Sequence, residues 1–378
     1  MSNPNFLFTV LAFLAVLGPL IFIHELGHYF VGRWFGVKAE TFSIGFGREV
    51  FGWSDKRGTR WKVGWLPLGG YVKFKGDMNP ASTPSDEWLA LPAEERNQTF
   101  QAKPVWQRFL IVLAGPATNF LFAILGFMAI FAAVGYPTAT ATVSQVVPDG
   151  PAAKAGILPG DRIVEVNGST VDTFVDLQSY VALRPAEPMN VVLERGGERQ
   201  SVDLVSGELT KSDEFGNKAR IGMLGVQGAQ ALGGGAGREQ LPPHRLFGAA
   251  VDTTFNTVSS MVVALGQVVT GKRSVKELGG PLKIAEVSGQ QATLGWLPFF
   301  WLMAVISINL GFINLLPIPL LDGGHLLFYG IEAVRRKPLK PEAQEWAFRT
   351  GLAALLALMV FVTFNDLSSF GVWKHLGG

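Results

Sequence analysis

The chain has 378 residues, nearly half of them hydrophobic and only 16% charged, where soluble domains carry about a quarter. That balance points to a membrane protein, and a net charge of +2 excludes the extended basic surface that nucleic-acid binding needs. Without a single Cys, disulfides and thiolate ligands are excluded too, so any metal must be held by His, Asp or Glu.

The first element is an uncharged run from Phe6 to Ile23, about the length a bilayer requires. A secretory signal peptide would place Lys or Arg before the apolar core and a small-residue cleavage site after it. Neither is present, and the run passes directly into His24-Glu25-Leu26-Gly27-His28, so a retained span is expected. Next comes a loop with nine Lys and Arg between Arg33 and Lys75. Within it Arg60–Lys75 (RWKVGWLPLGGYVKFK) alternates apolar and polar residues around Gly69-Gly70, the pattern of a β-hairpin. A second span is expected at Phe109–Val134, its Gly115-Pro-Ala-Thr-Asn119 offering a small face for helix packing. Asn119 there either lines a path between the spans or makes an interhelical hydrogen bond.

Beyond it, Ala141–Val205 holds PAAKAGILPGDRIVEVNGSTV followed by two alternating strands, and Asn167-Gly168 is a hairpin turn signal. The Gly-rich stretch Leu232–Gly237 reads as linker. Leu246–Thr270 carries one apolar stripe (Phe247, Val251, Phe255, Val258, Val262, Leu265, Val269) with polar residues between, which suits an amphipathic helix on a surface better than a span. Clear spans return at Trp296–Leu316 and Gly351–Phe364, separated by Arg335, Arg336, Lys337 and Lys340.

Positive charge marks cytoplasmic loops. Four spans then place the two basic loops in the cytoplasm, and both termini and Tyr136–Gly295 outside, in the periplasm of a Gram-negative cell. The expected fold class is an α-helical integral membrane protein. Its parts run as 1–35, the first span with its HExxH; 36–104, the hairpin region; 105–135, the second span; 136–210, an outer domain; 211–245, a linker; 246–295, an amphipathic helical region; 296–334, the third span; and 335–378, the last loop, fourth span and tail.

His24 and His28 stand one helical turn apart on one face, a spacing that lets two imidazoles share a zinc while Glu25 reaches a water there. Ionisable residues at the end of an apolar span are costly and usually functional. The third span ends in Asn314-Leu-Leu-Pro-Ile-Pro-Leu-Leu-Asp322-Gly-Gly-His325, whose prolines break the helix and whose Asp322 supplies a carboxylate. The first and third spans both run inward, so the motifs arrive at similar depth. A fifth span at Leu246–Thr270 would send Asp322 to the opposite face. His325, three residues after Asp322, is a further candidate ligand, but it reads better as a supporting or structural residue behind a site already served by two His and one Asp; His244 and His375 read as surface residues.

HELGH, GGYVKFKGD, KPVWQRFLIVLAGPATNF, GGPLKIAE and INLLPIPLLDGGH together resemble the site-2 protease family of intramembrane metalloproteases, and within it the bacterial RseP branch. Gly160-Asp161-Arg162-Ile163 and Val166-Asn167-Gly168 resemble the signature of PDZ domains, present once where many relatives of that branch have two in tandem. The resemblance implies zinc on His24, His28 and Asp322, Glu25 as general base, and Asn314 as a residue that holds the substrate backbone or the developing oxyanion. It implies a multi-pass inner-membrane protease in contact with lipid, with a hairpin on the cytoplasmic side whose edge strand pairs with an unwound substrate. The substrates implied are single-span membrane proteins of the anti-sigma-factor type, and remnant signal peptides. A non-catalytic PDZ adaptor is the rival reading, and it would need none of His24, Glu25, His28 and Asp322. A zinc transporter or sensor would want several intramembrane carboxylates along a path.

Overall fold

A computed structural model describes residues 5–76, 92–137, 140–212, 218–228, 238–272, 274–275 and 279–369. The Gly-rich stretch Leu232–Gly237 and His375 lie outside them. The chain divides into two compact units, one of Met1–Phe127 with Gly280–Phe364 and one of Met128–Gly279 with Asn365–Gly378.

Helix α1 spans Phe6–Trp34, opened by the Asn5 side chain accepting from the Phe8 amide at 2.8 Å. Strands β1 (Ala39–Ser54) and β2 (Arg60–Phe74) follow, then helix α2 (Val105–Val134). In the second unit come β3 (Arg162–Val166), β4 (Ser169–Thr170), α3 (Phe174–Ala182), β5 (Pro188–Arg195), β6 (Glu198–Val205), β7 (Gly207–Ser212), β8 (Lys218–Met223) and α4 (Pro243–Val269). The chain then returns to the first unit with α5 (Pro281–Thr293), α6 (Trp296–Leu315) and α7 (Asp322–Arg335), and ends in α8 (Pro341–Ser369). Among the described residues four helices are long and apolar enough to cross a membrane: α1, α2, α6 and, within α8, Glu342–Leu367. Helix α4 is continuous but is not one of them, and leaves Phe247, Phe255, Val262 and Val269 exposed.

Buried positions on α1 step along one face: Ala12, Val16, Leu20, His24, Gly27. The two imidazoles therefore continue the stripe with which the helix packs. At Gly27 a Cβ would sit 2.3 Å from the Ala114 carbonyl oxygen, so α1 and α2 cross in close contact. The Thr118 hydroxyl on α2 donates to the Ile23 carbonyl at 3.0 Å across that crossing.

The expected hairpin within Arg60–Lys75 is not there. Residues 60–74 form one strand, and its turn lies at 55–59, where Asp55 accepts from the amides of Arg57 (2.8 Å) and Thr59 (2.9 Å). Gly69 and Gly70 serve close approach instead of a turn. A Cβ on Gly69 would meet the Phe46 ring at 2.7 Å, and one on Gly70 would meet Ile21 and Glu25 of α1 at 2.9 and 3.0 Å. The register explains the shape: Phe42 faces both Trp61 and Val72, and Ile44 faces both Val63 and Gly70. The first half of β1 is thus flanked on both sides by the two halves of β2. Residues 70–74 pair with 39–44, and no other strand among the described residues pairs with their far edge. Phe42, stacked on Trp61 at 4.4 Å and edge-on to Tyr29 at 5.9 Å, fastens this sheet to α1.

Third-span residues fold as helix, loop, helix. Leu316 leaves helical geometry because Pro317 follows it. Leu320 sits at φ +90, a conformation costing of order 1–3 kcal/mol for a residue with a side chain. Gly323 and Gly324 let the start of α7 tuck under the loop, where a Cβ would lie 2.2 Å from the Leu316 oxygen and 2.5 Å from the Ile318 oxygen.

In the second unit β4-β3-β5-β6 form an antiparallel sheet over a core containing Ile163, Val166, Phe174, Leu177, Val191 and Leu193. Asn167 (φ 48) and Gly168 (φ 79) turn β3 into β4. Helix α3 opens on a reciprocal Thr173–Asp176 capping box. Asp161, buried before β3, accepts from Arg195 at 2.7 and 2.6 Å and from the Leu158 amide at 2.8 Å. The Arg195 guanidinium beside it holds its carboxyl below the usual carboxylate range.

Candidate metal centre

Three acceptor atoms from two distant stretches of chain converge at the end of the buried stripe on α1. His24 Nε2 lies 3.3 Å from His28 Nε2, and Asp322 Oδ2 lies 3.1 Å from the first and 3.5 Å from the second. The i, i+4 spacing stacks the rings on one face, and the broken third span delivers Asp322 in the first turn of α7. Among the described residues no other group of three or more His, Asp or Glu side chains is placed to hold a metal.

Whether these residues fit a cation is decided by their hydrogens. His28 Nδ1 lies 2.9 Å from the Ile111 carbonyl oxygen, which can only accept, so Nδ1 carries a proton and donates it. In the neutral ring, the form that binds a metal, Nε2 is then a bare lone pair facing the lone pairs of Asp322 Oδ2. That carboxylate oxygen is buried with no hydrogen-bond donor. Bare acceptors packed this closely repel one another unless a cation lies between them. Metal–ligand bonds of about 2.0 Å in a tetrahedron give ligand separations of roughly 3.3 Å, and the three observed separations bracket that value. Two imidazoles and one carboxylate also leave a fourth position open, the arrangement of catalytic rather than structural zinc.

Helix α2 forms the floor. Ile111, Gly115 and Asn119 recur every four residues, so they present one stripe to the two rings. Ile111 offers its carbonyl to His28, and the Asn119 amide lies 3.1 Å from His24 Nδ1. Between them, a Cβ on Gly115 would stand 2.2 Å from His28 Nε2 and 2.9 Å from His24 Nε2. Only a glycine lets α2 approach the rings this closely.

A cavity of about 300 Å³ opens beside the triad, lined by His24, Glu25, His28, Gly70, Tyr71, Val72, Asn314, Leu320, Asp322, His325 and Tyr329 among others. All five residues singled out from sequence thus share one cavity: His24, His28 and Asp322 in mutual contact, Glu25 and Asn314 in its wall. Glu25 is buried beside the triad, and its Cγ borders Gly70 of β2. His325 is in the wall but outside the triad, its ring 5.1 Å from that of Phe348 on α8. His244 stands at the start of α4, outside this cavity. Behind the wall, Arg108 of α2 donates to Glu332 of α7 at 2.7 Å, and its guanidinium lies 5.0 Å over the Tyr329 ring. This ion pair ties the helix carrying Asp322 to the helix flooring the histidines.

Sequence reading expected an edge strand in this segment but missed that residues 70–74 supply it in the cavity wall, and it missed Tyr329. The edge was hidden because Gly69-Gly70 looks like a turn; Tyr329 has a signal only in its spacing, two helical turns after Asp322.

Residues 12–358 match the family described as Peptidase family M50. A protein of Agrobacterium fabrum named as a zinc metalloprotease is 44% identical over 95% of this chain and 96% of its own length. One of the same name from Rhizobium meliloti is 42% identical over 96% and 97%. Metalloprotease MmpA of Caulobacter vibrioides is 38% identical over 99% of both chains. Among solved structures, the PDZ domain of an SdrC-like protein from Listeria monocytogenes aligns at 20% identity over 26% of this chain and 95% of that one, with a TM-score of 0.20.

Proposed function

The chain belongs to peptidase family M50, the site-2 protease family of zinc metalloendopeptidases, and from that premise we propose that His24, His28 and Asp322 hold the zinc and that Glu25 is the general base. The observation that carries this reading is the convergence of two imidazole nitrogens and a carboxylate oxygen at 3.1–3.5 Å beside a buried carboxylate. When bound, zinc supplies Lewis-acid chemistry, acidifying water towards a pKa of about 7 and polarising a peptide carbonyl. Glu25 takes a proton from the attacking water and returns it to the leaving amine. Asn314 donates to the substrate carbonyl oxygen as negative charge develops there. Burial of Glu25 keeps its carboxylate largely out of bulk water, which strengthens these interactions.

Four apolar spans and the family make this a multi-pass membrane protein acting on membrane proteins. The finer reading is an inner-membrane protease with its site near the cytoplasmic face and its termini and outer domain in the periplasm. It cleaves single-span proteins of the anti-sigma-factor type, and remnant signal peptides. A substrate helix hides its carbonyls in its own hydrogen bonds and must be unwound before attack. The unpaired edge at residues 70–74 offers the unwound stretch a strand to pair with. The outer domain's PDZ-like turns support a module that meets substrate tails before the span enters.

Purified full-length protein should cut a single-span peptide within its apolar stretch, seen as two fragments by mass spectrometry. Chelation should abolish the cut and added zinc restore it. Cleavage that persists in zinc-free protein would refute the reading, as would an intact peptide beside zinc-loaded protein.

A further inference from the structure

Beyond the ligands, the structure shows what sets the proton on His24. For Nε2 to offer a lone pair to zinc, Nδ1 must carry the ring proton, and a proton in a buried site needs an acceptor. His28 meets that need through the Ile111 carbonyl at 2.9 Å. The group facing His24 Nδ1 is the terminal amide of Asn119, 3.1 Å away and fully buried.

As placed, the amide nitrogen faces the ring, and the amide oxygen is buried with no donor. A half-turn of the side chain exchanges the two atoms, and the hydrogen bonds decide which placement holds. With nitrogen inward, Nδ1 must accept, the ring proton moves to Nε2, and Nε2–H points at Asp322 Oδ2. Such a ring has no lone pair for a cation. With oxygen inward, Nδ1–H donates, the unpartnered oxygen gains its hydrogen, and Nε2 is bare. The backbone beneath is held as well, because Ser307 Oγ on α6 donates to the Asn119 carbonyl at 2.9 Å.

Resting on the ligand assignment above, we propose that Asn119 is a positioning residue: its amide oxygen accepts the Nδ1 proton of His24 and so selects the tautomer that binds zinc. Ile111 and Asn119, two turns apart on α2, then play matching parts for the two histidines, one through the main chain and one through a side chain. Only the second can be removed by substitution.

The test is zinc affinity of the full-length protein in detergent, measured by competition with a chromophoric chelator. Asn119→Leu keeps the size and removes the acceptor, and should bind zinc about 10–100-fold more weakly. Asn119→Asp keeps an acceptor at the same place, and should bind at native affinity or tighter. The metal-free forms of all three proteins should unfold at the same temperature. Native affinity in Asn119→Leu would overturn the proposal, and so would Asn119→Asp as weak as Asn119→Leu. A loss matched by an equal loss of metal-free stability would also overturn it, assigning Asn119 to packing. A native chain that binds no zinc would instead refute the ligand assignment on which the proposal rests.

Discussion

Gly115→Ala should cost the protein its zinc and about 100-fold or more of its cleavage of a single-span reporter. The added carbon would stand 2.2 Å from His28 Nε2 and 2.9 Å from His24 Nε2, inside van der Waals contact with both nitrogens. Neither ring can retreat freely, since His28 is held by the Ile111 carbonyl and His24 borders Asn119. Helix α2 would have to move away from α1, and misplacement by about 1 Å at a reacting centre costs on the order of 100-fold. Alanine favours a helix interior over glycine by about 1 kcal/mol, so helix propensity predicts the opposite sign. Zinc content and cleavage measured on one preparation check this. Native zinc content in the variant would show that α2 does not pack on the rings as described.

Glu25→Gln should leave zinc in place and lower cleavage by about 10²–10⁴-fold, the range a positioned general base contributes. The amide has the carboxylate's size, so the packing of Glu25 Cγ against Gly70 survives. What it lacks is a site to take up the proton of the attacking water. Retained zinc separates this outcome from that of Gly115→Ala, where metal and cleavage fall together. Undiminished cleavage in Glu25→Gln would remove the residue from the chemistry.

Much of the site is legible in sequence because its signals are side chains at helical spacing. His24 and His28 at i, i+4 announce a shared ligand, and an uncharged run before them places it at the end of a span. Asp322 follows from Pro317 and Pro319, which forbid a regular helix where the carboxylate must turn inward. The contribution of α2 is not legible in the same way. Ile111 acts through a carbonyl that every residue possesses, and the small face at Gly115 signals close packing without signalling that the two rings lie against it. The sheet misled for a related reason. Gly69-Gly70 carries the composition of a turn, but there it makes room for Phe46, Ile21 and Glu25. The true turn is set by one carboxylate, Asp55, capping two amides.

Elemental analysis of Asp322→Ala beside the native chain tests the central claim most directly, because it asks whether a carboxylate 298 positions from His24 belongs to the same metal site. The native protein should carry about one zinc per chain, and the variant essentially none after dialysis against a mild chelator. A full complement of zinc in Asp322→Ala would contradict the account.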